Sequence, residues 1–379
     1  MTKYATGSLA IILAIMSFTT LAAAQRVDAN AILTAAPKIA TSVGGVYAFP
    51  APPEGFNPLT ASNVQLLTYG LPERPDQATD ARGYAVWERS MLALKIHATD
   101  VQATPYSSTN AILTGLPTKN VDGTTSQSNQ NWSGIANTNN LTNWNASTSF
   151  NKVVSYWNTP VPNRPFGSVS CSEGPWFEVT WNGIGGFYSY DSLVQGGTAS
   201  YWDGGGCGGS VETYGWIEWW PSYPILRALC SGKPCPVNPG DDFLAISYGA
   251  AGTAEQHVFV EDITRQWSGT FGLTYKSGPG LVGASAEYIA ERPGCGNNCY
   301  FALGNYIFEF FNDSFAYDGA GTQFYPGLTS SSTYVLTMLA DDRSTPISFP
   351  FMYGTSGNQG KYSIFIEDEN CAYKGGCAK

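Results

Sequence analysis

The chain has 379 residues, of which only 13% are charged, and its formal net charge is −10. The acidic excess lies after residue 127, and a surface of this sign repels phosphates, so we exclude nucleic acid as a partner. A chain with few basic residues gains little positive charge in acid, which suits an acidic medium, although many extracellular β-proteins have a similar composition.

The N-terminus carries the signals of export. Lys3 precedes a short apolar run at residues 9–15, and three alanines at 22–24 form the small-residue pattern of a signal peptidase site. We therefore predict a signal peptide over residues 1–24, with the mature product secreted. No later run of about 20 apolar residues follows, so we expect no membrane contact.

Residues 25–127 are predicted to form a partly helical propeptide. The sequence GYAVWERSMLALKIHA places Trp87, Met91 and Leu94 at i, i+4 and i+7, which indicates a helix. The stretch TKNVDGTTSQS at 118–128 is polar and turn-forming, as expected of a cleavable linker. We predict a mature N-terminus between Thr118 and Asn131, and a second domain over residues 128–379.

From Asn129 the pattern changes to short runs of aromatic and β-branched residues, separated by Gly, Pro, Asn and Asp. This alternation predicts an all-β fold, a large antiparallel β-sandwich or barrel almost without helix. Its many Trp and Tyr residues suit either a core or a peptide-binding groove. The runs are FNKVVSYW, WFEVTWNGI, GWIEWW, FLAISY, HVFVEDIT, TFGLTY, NYIFEFF, TYVLTML and YSIFIE.

All cysteines lie after residue 170, and an even number of them in an exported chain indicates disulfides. Spacing does not prove connectivity. The predicted pairs are three close ones and the remainder: Cys230 with Cys235, Cys295 with Cys299, Cys371 with Cys377, and Cys171 with Cys207. The rival interpretation is a metal site, but no C-x₂-C spacing or neighbouring histidine supports zinc, so we predict no metal.

Few sets of residues in this chain can catalyse a reaction. The two histidines, His97 and His257, form no H-E-x-x-H motif, and there is no G-x-S-x-G elbow and no D-T-G or D-S-G tripeptide. Glu291 in AEYIAERPG and Gln195 in DSLVQGG remain. A glutamate with a pKa near 4.3 is partly ionised in mild acid and can accept a proton from water. A glutamine amide can position that water and stabilise an oxyanion without titrating. Taken singly, Glu291 is better explained as the end of an edge strand and Gln195 as an ordinary turn residue.

Five sequence blocks, taken in their order along the chain, resemble those of a known protein family. They are NQNWSGI (129–135), WNGIGG (181–186), LVQGG (193–197), GWIEWWP (215–221) and AEYIAE (286–291). With these blocks the chain resembles the glutamic peptidases, or eqolisins. The resemblance implies a double-sheet antiparallel β-sandwich of the concanavalin type, secretion as a prepropeptide, and pepstatin-insensitive endopeptidase activity in acid without a cofactor. It also implies that Gln195 and Glu291 are the catalytic dyad.

The same resemblance makes Trp181 and Glu218 neighbours of the dyad and candidates for substrate binding. Both have structural alternatives, since Trp181 shares strand parity with core positions and Glu218 suits a paired buried acid. Glu287 lies on the strand face of Glu291, but four strand residues separate them by roughly 13 Å. Gly185 departs from the pattern, because fungal members of the family carry Asp there.

The expected partners are protein or peptide substrates and the chain's own propeptide as inhibitor, with the enzyme a monomer. Two other classes share the sandwich architecture: a non-catalytic, lectin-like carbohydrate-binding module, and a glycosidase that pairs Glu291 with a second carboxylate such as Glu218. Digestion of casein in acid separates them, because neither alternative predicts proteolysis.

Overall fold

The computed structural model describes residues 28–161, 175–202, 209–250, 254–294, 300–306, 308–352 and 360–368. The predicted signal peptide lies outside these ranges, and so do six of the cysteines: Cys171, Cys207, Cys295, Cys299, Cys371 and Cys377. Within the described ranges, no helix is long and apolar enough to cross a membrane.

The region before Thr104 mixes short helices with short strands. In chain order these are α1 (Ala29–Ala35), β1 (Ile39–Ala40), β2 (Val46–Ala48), α2 (Asn63–Thr68), α3 (Ala81–Ala93), β3 (Ile96–His97) and β4 (Asp100–Ala103). Polar side chains cap the helices: Asp28 accepts from the N–H of Ala31 at 3.1 Å, and Asp80 from that of Gly83 at 2.9 Å. The predicted helix is confirmed in α3, but it ends at Ala93 because the following residues leave it to pair with a strand.

The polar stretch at 118–128 is a β-hairpin, whereas a turn-forming linker was expected. Strands β5 (Leu113–Lys119) and β6 (Thr125–Asn129) pair antiparallel across it. Val121 in the connecting turn is fully exposed. The turn at 121–123 is therefore exposed, as are most residues of β5.

The predicted antiparallel β-sandwich is confirmed, and the only helix among the described residues after Asn129 is a 3₁₀ turn at Gly360–Tyr362. The strands up to the centre of the chain are β7 (Trp132–Thr138), β8 (Phe150–Asn158), β9 (Trp176–Ile184), β10 (Leu193–Trp202), β11 (Val211–Trp220), β12 (Leu226–Cys230), β13 (Lys233–Pro234), β14 (Asp242–Tyr248), β15 (Glu255–Asp262) and β16 (Trp267–Thr274). The later strands are β17 (Ser285–Glu291), β18 (Ala302–Leu303), β19 (Phe308–Asp318), β20 (Gln323–Phe324), β21 (Thr333–Leu339), β22 (Pro346–Met352) and β23 (Ile364–Asp368).

Two sheets stack face to face. The first has the order β6–β21–β7–β17–β9–β10–β11–β12–β4, antiparallel except between β6 and β21. The second has the order β23–β19–β8–β14–β15–β16–β2 and is antiparallel throughout. Strand β22 pairs with both β21 and β23 and so joins the two sheets along one side.

Along each strand of the first sheet, successive side chains point to opposite faces, and both faces are buried at the centre of the sheet. On β9, Ile184 packs into the core between the sheets, with Trp157 and Phe243 of the second sheet. Val179 and Trp181, of opposite parity, join a separate cluster on the outer face. Every residue of β9 is buried, because the N-terminal region covers this outer face. The side chains that point to this outer face include those of the candidate site.

Candidate active site

Gln195 and Glu218 are direct cross-strand neighbours. Gln195 lies within β10 and pairs in register with Glu218 on β11, and both side chains are fully buried. The Gln195 Nε2 donates a hydrogen bond of 2.7 Å to Glu218 Oε2. The Gln195 Oε1 is buried and accepts no hydrogen bond. A carboxyl therefore fixes the amide plane and leaves its oxygen available to a donor.

Glu291 approaches the same region from β17, on the other side of β9. Trp181 on β9 donates from Nε1 to Glu291 Oε2 at 2.7 Å. The Trp181 ring packs edge-to-face on Trp132, with centroids 4.9 Å apart. Trp181 is thus both a core residue and a hydrogen-bond partner of the carboxyl. Glu291 is the last residue of β17 but lies between β7 and β9, and not at a sheet edge.

Residues 104–112, here called the cleft segment, cross the outer face of the first sheet above these side chains. The N–H of Ser108 donates to Glu218 Oε2 and that of Thr109 donates to Glu291 Oε1, both at 3.2 Å. One continuous piece of backbone thus joins the two carboxyls. Among the described residues, the hydrogen bonds of Glu291 lead to this segment and to Trp181, and not to Gln195.

Polar contacts hold both ends of the cleft segment. The carbonyl of Tyr106 accepts from the N–H of Ile225 at 2.9 Å, and that of Ser107 from the N–H of Gly294 at 3.0 Å. The Asn110 Nδ2 donates to the carbonyl oxygens of Tyr188 and Asp191, at 3.2 and 3.0 Å. The backbone groups of Tyr106 and Ser107 therefore make hydrogen bonds that another peptide backbone is able to make.

Asn131, in the first block of the resemblance, anchors the far end. Its Oδ1 accepts from the N–H of Ile112 at 3.0 Å, and its Nδ2 donates to Thr109 Oγ1 at 3.0 Å and to the carbonyl of Asn110 at 3.2 Å. Asn131 is fully buried. The amide thus binds the backbone of the cleft segment, a role that sequence analysis did not assign to it.

Burial dominates the electrostatics of the site. It raises the pKa of Glu291 to about 8, although hydrogen bonds from Thr109 and Trp181 oppose the shift. Burial and then the nearby Glu291 carboxyl raise the pKa of Glu218 well above its ordinary value. The Ser108 hydroxyl lies near both carboxyls but meets neither at good hydrogen-bonding geometry. With the cleft covered, burial therefore favours the protonated form of both acids.

The backbone conformation and the close contacts at residue 185 explain why a glycine occupies this position. Its φ is +86°, and a Cβ there would meet the carbonyl oxygen of Ser192 at 2.1 Å and the Asp191 carboxyl at 3.0 Å. Asp191 is buried and accepts from the N–H groups of Val282 at 2.6 Å and Ala284 at 2.9 Å. Burial raises the pKa of Asp191 to about 7 against these bonds. A carboxyl therefore lies beside position 185, but a neighbouring residue supplies it.

The remaining candidates lie elsewhere. His97 Nε2 contacts the carbonyl oxygen of Phe49 at 2.9 Å, and His257 Nε2 contacts Glu255 at 2.8 Å, so neither histidine is part of the site. Cys230 and Cys235 form the predicted disulfide, with Cα atoms 4.8 Å apart. In the described parts of the chain, no group of three His, Cys, Asp or Glu side chains is placed to hold a metal ion.

Comparison with known proteins identifies the family of this chain. The model of the Peptidase A4 family matches residues 130–337, which is more than half of the chain. A search of curated proteins finds no match.

The fold is similar to three solved peptidases. Scytalido-glutamic peptidase with a peptide-based transition-state analogue is 15% identical over 63% of this chain and 98% of that one, with a TM-score of 0.46. SCP-B, described as an eqolisin in complex with the tripeptide Ala-Ile-His, is 15% identical over the same shares, with a TM-score of 0.45. Aspergilloglutamic peptidase from Aspergillus niger is 18% identical over 51% of this chain and 99% of that one, with a TM-score of 0.40. The family match favours a peptidase over the carbohydrate-binding and glycosidase alternatives. The chain belongs to the Peptidase A4 family, the glutamic peptidases or eqolisins, and is a peptide hydrolase.

Proposed function

We propose that the chain is the secreted precursor of an endopeptidase that cleaves proteins in acid, with Gln195 and Glu291 as its catalytic dyad and no cofactor. One observation carries the proposal. The side chains of Gln195, Glu218, Glu291 and Trp181 converge on one face of the first sheet, beneath a segment of peptide backbone that contacts two of them. A site shaped to hold a backbone suits a peptidase.

In the first step, Glu291 takes a proton from a water molecule and the water oxygen bonds to the carbonyl carbon of the substrate. The electron pair of the carbonyl double bond moves to its oxygen. Gln195 has two N–H groups, of which one is held by Glu218, and an Oε1 that accepts no other bond. It is therefore able to orient the water through Oε1 and to stabilise the oxyanion through its second N–H.

In the second step, the carbon–nitrogen bond breaks and the leaving nitrogen receives the proton that Glu291 took from the water. The products are a carboxylic acid and an amine, and Glu291 is ionised again. Glu218 and Trp181 act as positioning residues, since Glu218 holds the Gln195 amide and Trp181 holds the Glu291 carboxyl. Trp181 also walls the substrate cleft.

The cleft segment acts as the inhibitor within the propeptide. It covers both carboxyls, and under this cover Glu291 has a pKa of about 8, so it is protonated and unable to act as a base. Water and substrate in the open site lower this pKa towards the ordinary glutamate value near 4.3, which restores a base in mild acid.

Acid alone does not open the cleft through Glu291. The covered state binds the proton more tightly than the open state, so lower pH favours cover by this group. Activation therefore requires a cut in the chain. The exposed turn at 121–123 lies within the predicted processing range from Thr118 to Asn131.

The test is a set of variants assayed on casein in acid, with and without pepstatin. Glu291→Gln removes the base and Gln195→Ala removes the oxyanion donor, so each is expected to be secreted but to lose activity by a factor of about 10² to 10³ or more. Glu287→Gln is the matched control on the same strand face and is expected to stay active. Near-normal proteolysis by Glu291→Gln would refute the dyad.

Processing has its own measurement. N-terminal sequencing after a shift to about pH 4, near the ordinary pKa of a glutamate, is expected to give a start within the predicted range. A fully active chain that still begins near Gln25 would exclude the precursor.

A further inference from the structure

The region ahead of the cleft segment, residues 28–103, is here called the N-terminal unit, and it supplies strands to both sheets. Its β4 pairs antiparallel with β12 at four positions, at the end of the first sheet. Its β2 pairs with β16 at three positions, and β3 runs parallel to β16. Without this unit, β12 and β16 would both expose unpaired N–H and C=O groups along a sheet edge.

The N-terminal unit also contributes to the core between the sheets. Val46, Ala48, Ala98 and Val101 are at most 1% exposed and pack with Trp267 and other residues of the second sheet. Removing the unit would uncover part of the central core. Each large apolar side chain uncovered in this way costs about 1.5–3 kcal/mol.

The helices of the unit cover the outer face of the second sheet. Leu33, Leu67 and Val86 pack on an apolar surface that the sheet presents to them. The members of this surface are Val154, Tyr156, Leu244, Ile246, Tyr248, Phe259, Ile263 and Phe315. A face of this composition is unlike the outer surface of a free sandwich, and a patch of this kind on a monomer leads to association.

Polar contacts reinforce the interface between the N-terminal unit and the two sheets, which is here called the seam. Gly45 accepts at its carbonyl from Tyr223 OH and Thr274 Oγ1, both at 2.8 Å, and a Cβ at this position would meet the Tyr223 oxygen at 2.5 Å. Ser90 on α3 donates to Glu261 on β15, and Arg82 pairs with Asp313. Backbone and side chains of the unit thus fit closely against both sheets.

One ion pair also crosses the seam. Lys152 Nζ lies 2.8 Å from Glu73 Oε1, along a cavity of about 780 Å³ that both partners line. Burial opposes ionisation of Glu73, but the Lys152 ammonium outweighs it, and the pKa of this carboxyl lies below its ordinary value. The Lys152 ammonium therefore favours the ionised form of Glu73, and the ion pair adds to the contacts between the N-terminal unit and the sandwich.

We propose that the N-terminal unit stays bound to the sandwich after the precursor is cut, and that it is a permanent noncovalent subunit of the active enzyme. Only the cleft segment leaves the site. This inference rests on the proposed precursor function for the cut, but its physical basis is the seam described above.

The test cuts the chain without using its own activity. A recognition sequence for a site-specific protease is inserted between Val121 and Asp122, in the exposed turn, in the Glu291→Gln background. The nicked protein is then run on size exclusion at about pH 4, near the ordinary pKa of a glutamate, and the peak is analysed by intact mass. Both pieces are expected to elute together. A folded sandwich that elutes without the N-terminal piece would overturn the inference.

Three further nicked chains identify what holds the pieces together. Tyr106→Ala removes the ring that packs on Phe177 with centroids 4.6 Å apart, so it weakens the cleft segment alone and is expected to leave the pieces associated. Val86→Asp places a carboxyl in the apolar contact between α3 and the second sheet, and is expected to release the N-terminal piece. Leu92→Asp, on the same helix at 66% exposure, is the matched control and should release nothing. Release by Tyr106→Ala would show that the cleft segment is the tether, and would overturn the inference.

Different results contradict the proposed dyad and the proposed permanent subunit. Proteolysis by the un-nicked Glu291→Gln chain contradicts the dyad and says nothing about the seam. Loss of the N-terminal piece contradicts the permanent subunit and leaves the dyad intact.

Discussion

Both outer faces of the sandwich are covered by the N-terminal part of the chain, but the two covers differ in chemistry. The outer face of the second sheet is covered by apolar helix side chains such as Leu33 and Val86. The outer face of the first sheet, which holds the candidate site, is covered at its centre by Ser108, Thr109 and Asn110, largely through hydrogen bonds.

This difference separates a permanent cover from an exchangeable one. An apolar cover gains its free energy from the surface removed from water, and no substrate replaces it. A hydrogen-bonded cover gains only about 0.5–1.5 kcal/mol per bond, because water or another backbone makes the same bonds. The site is therefore covered by the part of the chain that exchanges most readily.

The largest expected effect comes from disrupting the apolar packing between the N-terminal unit and the sandwich. Val101→Asp places a carboxyl in the central core at a fully buried position, and is expected to lower the free energy of unfolding by on the order of 4 kcal/mol. Val121→Asp is the same change in the exposed turn, and is expected to alter it by less than about 0.5 kcal/mol. Denaturant unfolding of the two full chains measures the difference. Equal midpoints would show that the N-terminal unit is not part of the core.

The next effect is on the pH dependence of stability. Burial raises the pKa of Glu261, beneath α3, to about 8, whereas the unfolded chain has an ordinary glutamate value. The folded state thus keeps a proton that the unfolded state loses. The stabilisation is complete below about pH 4 and is lost as the pH rises to 8. Glu261→Gln is expected to flatten the fall in melting temperature between these limits. Glu54→Gln, on the surface, should leave the slope unchanged, and an equal slope in both variants would contradict the assignment.

The strands of the sandwich were predictable because their signal is local. Runs such as FNKVVSYW and TYVLTML combine β-branched and aromatic residues within a single strand, and they correspond to β8 and β21. The end of α3 was not predictable, because the residues after it pair with β16, a contact between distant parts of the chain. The hairpin at 118–128 has the same cause, since β6 is held by β21.

The candidate site was predictable only in part. The ordered blocks led to Gln195, Glu218, Trp181 and Glu291, and the structure brings these four together. The cleft segment gave no signal, because TPYSSTNAI has the composition of an ordinary turn. Its position over the carboxyls follows from the path between β4 and β5, which no local pattern encodes.

A smaller effect is expected from the disulfide near the seam. Cys230 ends β12, the strand that carries β4, and its bond to Cys235 closes a short loop. Replacing both cysteines by alanine is expected to lower the free energy of unfolding by about 2 kcal/mol, because a short loop constrains the unfolded chain only modestly. The nicked pieces should still elute together. Release of the N-terminal piece would show that the disulfide, and not the apolar cover, maintains the seam.

The smallest change in free energy, and the most informative about the exchangeable cover, comes from Asn110→Ala. It removes the amide that donates to the carbonyl oxygens of Tyr188 and Asp191, and two neutral bonds contribute about 1–3 kcal/mol together. An equilibrium between covered and open clefts shifts by a factor of about ten for each 1.4 kcal/mol, so processing in acid should accelerate roughly tenfold or more. Asn143→Ala, in an exposed loop, is the matched control. The denaturant midpoint of Asn110→Ala should fall by no more than these two bonds contribute, because the bonds of the cleft segment cover the site and are not part of the core. Faster processing with at most this small fall would separate the two covers, and a larger fall with unchanged processing would assign the cleft segment to the permanent structure.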